Sequence, residues 1–256
     1  MYTQEEMNRL VPQKLQEIEK EQDITILWAC ESGSRAWGFA SRDSDFDVRF
    51  IYKRNWEAYL RLEDTRDVIE YPVDAVWDVN GWDLDKTLRL LMKSNPTLYE
   101  WLNSPIVYCS SDFRADIEPL LQAYYSESKM LHHYLHTAAG MLAAVEKKER
   151  VRAKKYFYIL RPLLACLWIR AYHEAPPVRF EKLLCMLDDS MRPSVERLLA
   201  IKMNTREADE IPHDDALLEY MHRIYTDTEA YLLQLPKEDA KSWDLLNQFF
   251  RQEVCK

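Results

Sequence analysis

"GSRAWGFASRDSDFD", residues 33–47, decides how the rest of this chain is read. The whole sequence holds only four glycines, and two of them, Gly33 and Gly38, stand in this stretch. Alternating carboxylates follow at Asp43, Asp45 and Asp47. Upstream, "DITILWAC" (23–30) is an apolar run that reads as a buried strand. Downstream, "DFDVRFIY" (45–52) alternates and reads as a second strand. Phe46, Val48 and Phe50 face one way; Asp45, Asp47 and Arg49 face the other.

Two aspartates two positions apart on a strand leave the same face, about 7 Å apart at Cα. Carboxylates brought together repel, and a cation relieves them. Oxygen-only ligands with room left for water and phosphate suit Mg²⁺, with Mn²⁺ as a substitute. A pair of such ions about 3.5–4 Å apart activates an attacking oxygen and neutralises a leaving phosphate. Gly33 and Ser34 close the first strand and open a short helix. Backbone N–H groups point outward there, and glycine lets a phosphate approach the chain. Phosphate cradle and metal ligands in one stretch are what nucleoside triphosphate chemistry needs.

Rival readings fail on the same residues. Gly33 and Gly38 have P-loop spacing, but Phe39 stands where the lysine must be. An EF-hand loop from Asp43 would need glycine and glutamate where Val48 and Arg54 stand. A polar turn before a solvated acidic strand explains D-x-D alone. It explains less well a G-S pair placed eleven residues ahead, straight after an apolar strand.

The stretch resembles the signature of the DNA polymerase beta-like nucleotidyltransferase superfamily, G-S followed by D-x-D. More closely, "GSRAWGF…DSDFDVR", "GWDLDKTLRLLMKSNPTLYEWLNSPIVY" and "KKYFYILRPLLACLWI" are similar to the YcgL-type, RNA-ligase-associated family of bacterial nucleotidyltransferases. The resemblance touches most of residues 26–185. It implies that Gly33 and Ser34 hold the triphosphate, that Asp45 and Asp47 bind metal, and that a later strand supplies a third carboxylate. On "VIEYPVDAVWDV" (68–79), a third strand candidate, Asp74 and Asp78 share a face. Asp78, eight residues before Lys86, stands where the family pattern keeps its acid, with Asp74 in reserve. Arg35 or Arg42 would neutralise triphosphate charge.

The remainder organises around this core. Thr3 and Glu6 predict a capping box at the start of a helix to about residue 21, with Pro12 kinking or restarting it. A turn at Asn80–Gly81 leads to a helix over 84–93 capped by Asp83. "KSNPTLYEWL" (93–102) reads as a helix end, a turn and a new helix of structural purpose. After Ser111, helical periodicity dominates: 113–125, 130–146, 151–172, 180–187, 194–203 and 216–233. The expected fold is α+β, a small mixed-sheet nucleotidyltransferase domain (1–108) followed by an all-α substrate- and nucleotide-binding domain (109–256).

Within the helical part, "KKERVRAKKYFYILR" (147–161) is the one concentrated basic run. Most of it reads as a solvated face, but Lys154, Lys155, Tyr158 and Arg161 are spaced to hold phosphates or stack on a base. His132, His133 and His136 form H-H-x-x-H without the glutamate or third ligand of a zinc site, so they read as surface or core-edge histidines.

Composition narrows the class. At 47% hydrophobic and 30% charged, the 256 residues suit a soluble globular protein. The five cysteines are odd in number and lack C-x-x-C spacing, which favours reduced thiols in a cytoplasm. No secretory signal or membrane-length apolar run is legible. A net charge of −9 argues against a general nucleic-acid binder, so any RNA contact should be local. The reading is a metal-dependent nucleotidyltransferase moving a nucleoside monophosphate from an NTP such as ATP to an acceptor, with pyrophosphate release. RNA ends, a protein side chain and a small molecule stay open as acceptors. The alternative is a catalytically silent nucleotide-binding regulator, or one member of a toxin–antitoxin-like pair.

Overall fold

The structure is a computed structural model that describes residues 2–41, 43–71, 77–204 and 210–256. The described chain divides into two compact units. The first holds Met1–Ala36, Asp45–Tyr125 and Asp239–Lys256; the second holds Trp37–Ser44 and Ser126–Glu238.

The first unit is built on a mixed five-stranded sheet. Helix α1 (Gln4–Gln22) opens it, with the Thr3–Glu6 capping box formed and the helix continuous through Pro12. Strand β1 (Ile24–Glu31), the short helix α2 (Gly33–Trp37) and strand β2 (Phe46–Arg54) follow. Where one strand was expected over 68–79 there are two, β3 (Val68–Glu70) and β4 (Trp77–Asp83), paired antiparallel. Helices α3 (Leu84–Met92) and α4 (Pro96–Leu102) come next. Strand β5 (Val107–Ser110) then completes the sheet, and helix α5 (Phe113–Tyr124) leaves it. The order is β3-β4-β2-β1-β5. β1 runs antiparallel to β2 and to β5, whereas β2 and β4 are parallel.

The alternation in β2 becomes two environments. Phe46, Val48, Phe50 and Tyr52 join Met7, Val11, Leu15 and Ile18 of α1 in one buried core, with Val79 of β4 beside them. At 25 cal/mol per Å², each such side chain contributes about 1.5–3 kcal/mol of burial. Asp47 and Arg49 therefore face away from that core, as period two requires. Asn80–Gly81 is not a turn but mid-strand. Gly81 pairs with Phe50, and a Cβ there would meet the Phe50 ring at 2.2 Å, so packing rather than turn chemistry selects the glycine.

The second unit is helical: α6 (Glu127–Glu146), α7 (Ala153–Tyr172), α8 (Phe180–Leu183), α9 (Arg192–Asn204) and α10 (Asp215–Leu232). Its one small sheet pairs β6 (Arg150–Arg152) with β7 (Glu210–Pro212). The start of the expected 151–172 helix is thus strand, and α7 runs unbroken through Pro162. The onset of helical texture does not coincide with a change of unit. Helix α5 and a helix not read from the sequence, α11 (Asp244–Cys255), both lie in the first unit, where Phe249 packs against Phe113.

Candidate active site

The site grows from two strand ends and one turn, all in the first unit. β2 and β4 are parallel and in register, with Asp47 opposite Asp78. In-register residues on adjacent parallel strands share a face and sit about 4.8 Å apart. Both carboxylates thus emerge together on the face that α1 does not cover. Asp74 and Arg42 lie outside the described residues. Asp45 stands one residue before β2 and is exposed.

The turn before α2 abuts this pair. Gly33 has φ +58°, and a Cβ on it would lie 2.0 Å from Asp47 Oδ2. Left-handed backbone and carboxylate contact both demand glycine. The backbone N–H of Ser32 donates to the Asp47 carbonyl at 2.8 Å, tying the turn to β2. Ser34 is buried at the start of α2. Arg35 donates from Nε to the Asp45 carbonyl at 3.0 Å, its guanidinium lying 3.6 Å from the Phe46 ring centroid.

Two residues missed in the sequence organise the pair. Arg49, two positions after Asp47 on the same face, donates to Asp47 Oδ1 at 2.8 Å and to Asp78 Oδ2 at 2.7 Å. Its other terminal nitrogen donates to the backbone carbonyls of Asp78 and Val48, at 2.7 and 3.1 Å. Its i+2 parity with Asp47 was the legible signal. Glu31, the last residue of β1, is wholly buried and accepts from the Asp47 N–H at 2.8 Å. Tyr108 of β5 donates its hydroxyl to the other Glu31 oxygen, and Gln4 of α1 donates to the Tyr108 hydroxyl at 3.1 Å.

The electrostatics follow from this packing. Burial pushes the Glu31 carboxyl up to about 7, against the pull of its hydrogen bonds from Tyr108 and Asp47. Burial is also the main cause raising Asp47; the Arg49 guanidinium opposes it, and the neighbouring Asp78 and Asp45 carboxylates reinforce it. The Tyr108 phenol is raised by burial and then by Glu31.

The donors suit a hard divalent cation: carboxylate oxygens on side chains 27% and 33% exposed at Asp47 and Asp78. Among the described residues no three His, Cys, Asp or Glu side chains already close on a common point. The charge of the pair is answered by Arg49, which bonds both carboxylates.

The other sequence candidates belong to the second unit. Lys155 lies half-buried on α7. Arg161 is buried, its guanidinium 4.4 Å from the Trp37 ring centroid and bonded to the Val178 carbonyl at 3.5 Å. The 37–44 segment between the glycine turn and β2 is held in that same unit, Phe39 packing on Phe157 and Phe180. His132, His133 and His136 are exposed on α6. Among the described residues no helix is long and apolar enough to cross a membrane.

The first unit thus presents a mixed sheet with in-register aspartates on adjacent parallel strands, fronted by a glycine turn. The chain belongs to the RNA repair pathway DNA polymerase beta family, RlaP, whose model matches residues 7–252. It is similar to the uncharacterized protein YcgL of Bacillus subtilis (strain 168), at 37% identity over 249 residues, covering 96% of this chain and 94% of the relative. Among solved structures, a nucleotidyltransferase-like protein from Exiguobacterium sibiricum 255-15 shares 15% identity. That match covers 87% of this chain and 74% of the other, with a TM-score of 0.32.

Proposed function

We infer that the protein transfers a nucleoside monophosphate from an NTP to the end of an RNA, releasing pyrophosphate. The observation that carries the reading is the register of Asp47 and Asp78 on one face beside the Gly33 turn. An acceptor hydroxyl forms a bond to the α-phosphorus while the bond to the β-phosphate oxygen breaks. Such in-line transfer asks the protein for position and charge rather than a covalent nucleophile.

Each residue has a part in that account. Asp47, Asp78 and Asp45 hold Mg²⁺ or Mn²⁺. When bound, the metal supplies neutralisation of phosphate charge and lowers the cost of deprotonating the acceptor. Gly33 lets the turn close against Asp47, and the Gly33–Ser34 backbone N–H groups with the Ser34 hydroxyl hold the triphosphate. Arg35 adds positive charge at the same turn. The family's RNA repair association supports an RNA acceptor, and the net charge of −9 supports a short, local contact with it.

The test is incubation of the full chain with α-labelled NTPs, Mg²⁺ and RNA bearing defined ends. Wild type labels the RNA, and Asp47→Asn or Asp78→Asn lowers labelling at least about a hundredfold, roughly 2.7 kcal/mol of transition-state stabilisation. Labelling by both variants at the wild-type rate refutes the assignment.

A further inference from the structure

We propose that Arg49 is a built-in counter-cation that keeps the Asp47–Asp78 pair closed to a lone divalent ion, so that metal and nucleoside triphosphate enter the site together. The inference rests on the metal-nucleotide reading of this face and adds to it how the site is guarded.

Three observations carry it. First, one nitrogen of Arg49 bonds a carboxylate oxygen of each aspartate, at 2.8 and 2.7 Å. It thereby supplies between the two in-register anions the positive charge that a shared cation would otherwise supply. Second, the guanidinium is braced from behind. Its second terminal nitrogen donates to the Asp78 and Val48 carbonyls, so the planar fork is set toward the pair by backbone rather than held there by the pair alone. Third, the Arg49 side chain is 16% exposed whereas the two carboxylates are 27% and 33% exposed. The half-buried anions are thus more exposed than their counter-ion.

Arginine has a further consequence. It does not lose its proton at any physiological pH, so the seat opens only by exchange of one cation for another. The guanidinium cancels one of the negative charges of Asp45, Asp47 and Asp78, so the site attracts a lone divalent ion less than the same carboxylates would without Arg49. A triphosphate changes the balance. It brings its own anionic oxygens, completing the metal's oxygen shell and giving the displaced nitrogen of the guanidinium a new anionic partner. On this account Arg49 makes metal occupancy conditional on nucleotide, and it is a positioning residue rather than a catalytic one.

The test uses the full chain with Mn²⁺ as the probe, bound metal being read by electron paramagnetic resonance. Titrations run with and without an α,β-methylene analogue of ATP. Wild type should bind Mn²⁺ at least about tenfold more tightly with the analogue than without it. Arg49→Gln should bind Mn²⁺ alone at least about tenfold more tightly than wild type and lose most of the enhancement by analogue. In chelator its melting temperature should fall, and Mn²⁺ should restore more of it than in wild type. Lys86→Gln, which removes a positive charge paired to Asp67 elsewhere, should leave Mn²⁺ affinity unchanged. If Arg49→Gln does not fold, Arg49→Lys keeps the charge without the two-pronged reach and should show an intermediate affinity. Wild-type or weaker Mn²⁺ affinity in the folded variant overturns the proposal and leaves Arg49 a structural staple. Failure of wild type to bind Mn²⁺ even with the analogue overturns both this proposal and the metal-nucleotide reading.

Discussion

Glu31 shows how much chemistry one buried side chain concentrates. It is fully buried, accepts from Asp47 N–H and from Tyr108, and its carboxyl is pushed from an ordinary 4.5 up to about 7. The folded protein therefore holds a proton that the unfolded chain has already released. Its contribution to stability is complete below about pH 4.5 and is lost as pH rises through about 7, by up to about 3 kcal/mol. Urea unfolding at pH 5 and pH 8 should show Glu31→Gln losing less stability across that interval than wild type. An identical pH dependence in the two proteins would exclude Glu31 as the source. Glu31 was not legible in the sequence, where it is only the first polar residue after an apolar run. What defines it, Tyr108, lies 77 positions away. Asp78 was preferred to Asp74 only because the family resemblance keeps an acid eight residues before Lys86; strand parity, which the two share, did not separate them. Arg49 was seen only as a member of a face, since which carboxylates it bridges depends on strand pairing.

Strands and turns fix where glycine is needed. At Gly33 the backbone is left-handed and Asp47 occupies the Cβ position; at Gly81 the Phe50 ring does. Gly140, inside α6, has nothing within 4 Å of a Cβ. Gly33→Ala and Gly81→Ala should each destabilise by about 1–3 kcal/mol, through strain and overpacking. Gly140→Ala should stabilise by about 0.5–1 kcal/mol, because alanine loses less entropy in a helix. Chemical denaturation of the three variants checks the ordering, and a neutral Gly81→Ala would mean that β4 does not pair with β2 in this register. The same positions mark the limit of local reading. Asn-Gly is a strong turn signal, yet at Asn80–Gly81 close sheet packing outweighs it. The neighbouring Asp83 cap, a purely local device, is where the sequence put it, accepting from Asp85 N–H at 3.1 Å.

At the scale of the whole molecule, the chain does not pass once from sheet to helices. It leaves the first unit at residue 37, returns at 45, leaves again after 125 and comes back at 239. β1 and β2 were legible by local periodicity, whereas β3 and β4 were read as one strand and the four-residue β5 was not read at all. Helix α11 went unread although Leu245, Leu246, Phe249, Phe250 and Val254 recur at helical spacing, and what it covers is distant in sequence: Phe249 meets Phe113, Phe250 meets Tyr59, and Lys53 bonds the Glu253 carbonyl at 2.6 Å. Phe249→Ala should destabilise the first unit by about 3–5 kcal/mol, the usual range for emptying a buried aromatic site. A calorimetric unfolding transition unchanged from wild type would show that α11 contributes nothing to that unit's core.

One measurement bears most directly on the claim that this molecule moves a nucleotidyl group. The full chain is incubated with Mg²⁺, acceptor RNA and a nucleoside triphosphate labelled in parallel at the α- or the γ-phosphate. Attack at the α-phosphorus predicts that α-label becomes covalently attached to the RNA while γ-label leaves as pyrophosphate, both in equal amount and both lost in Asp47→Asn. γ-Label on the RNA, or equal transfer by wild type and Asp47→Asn, would contradict the account.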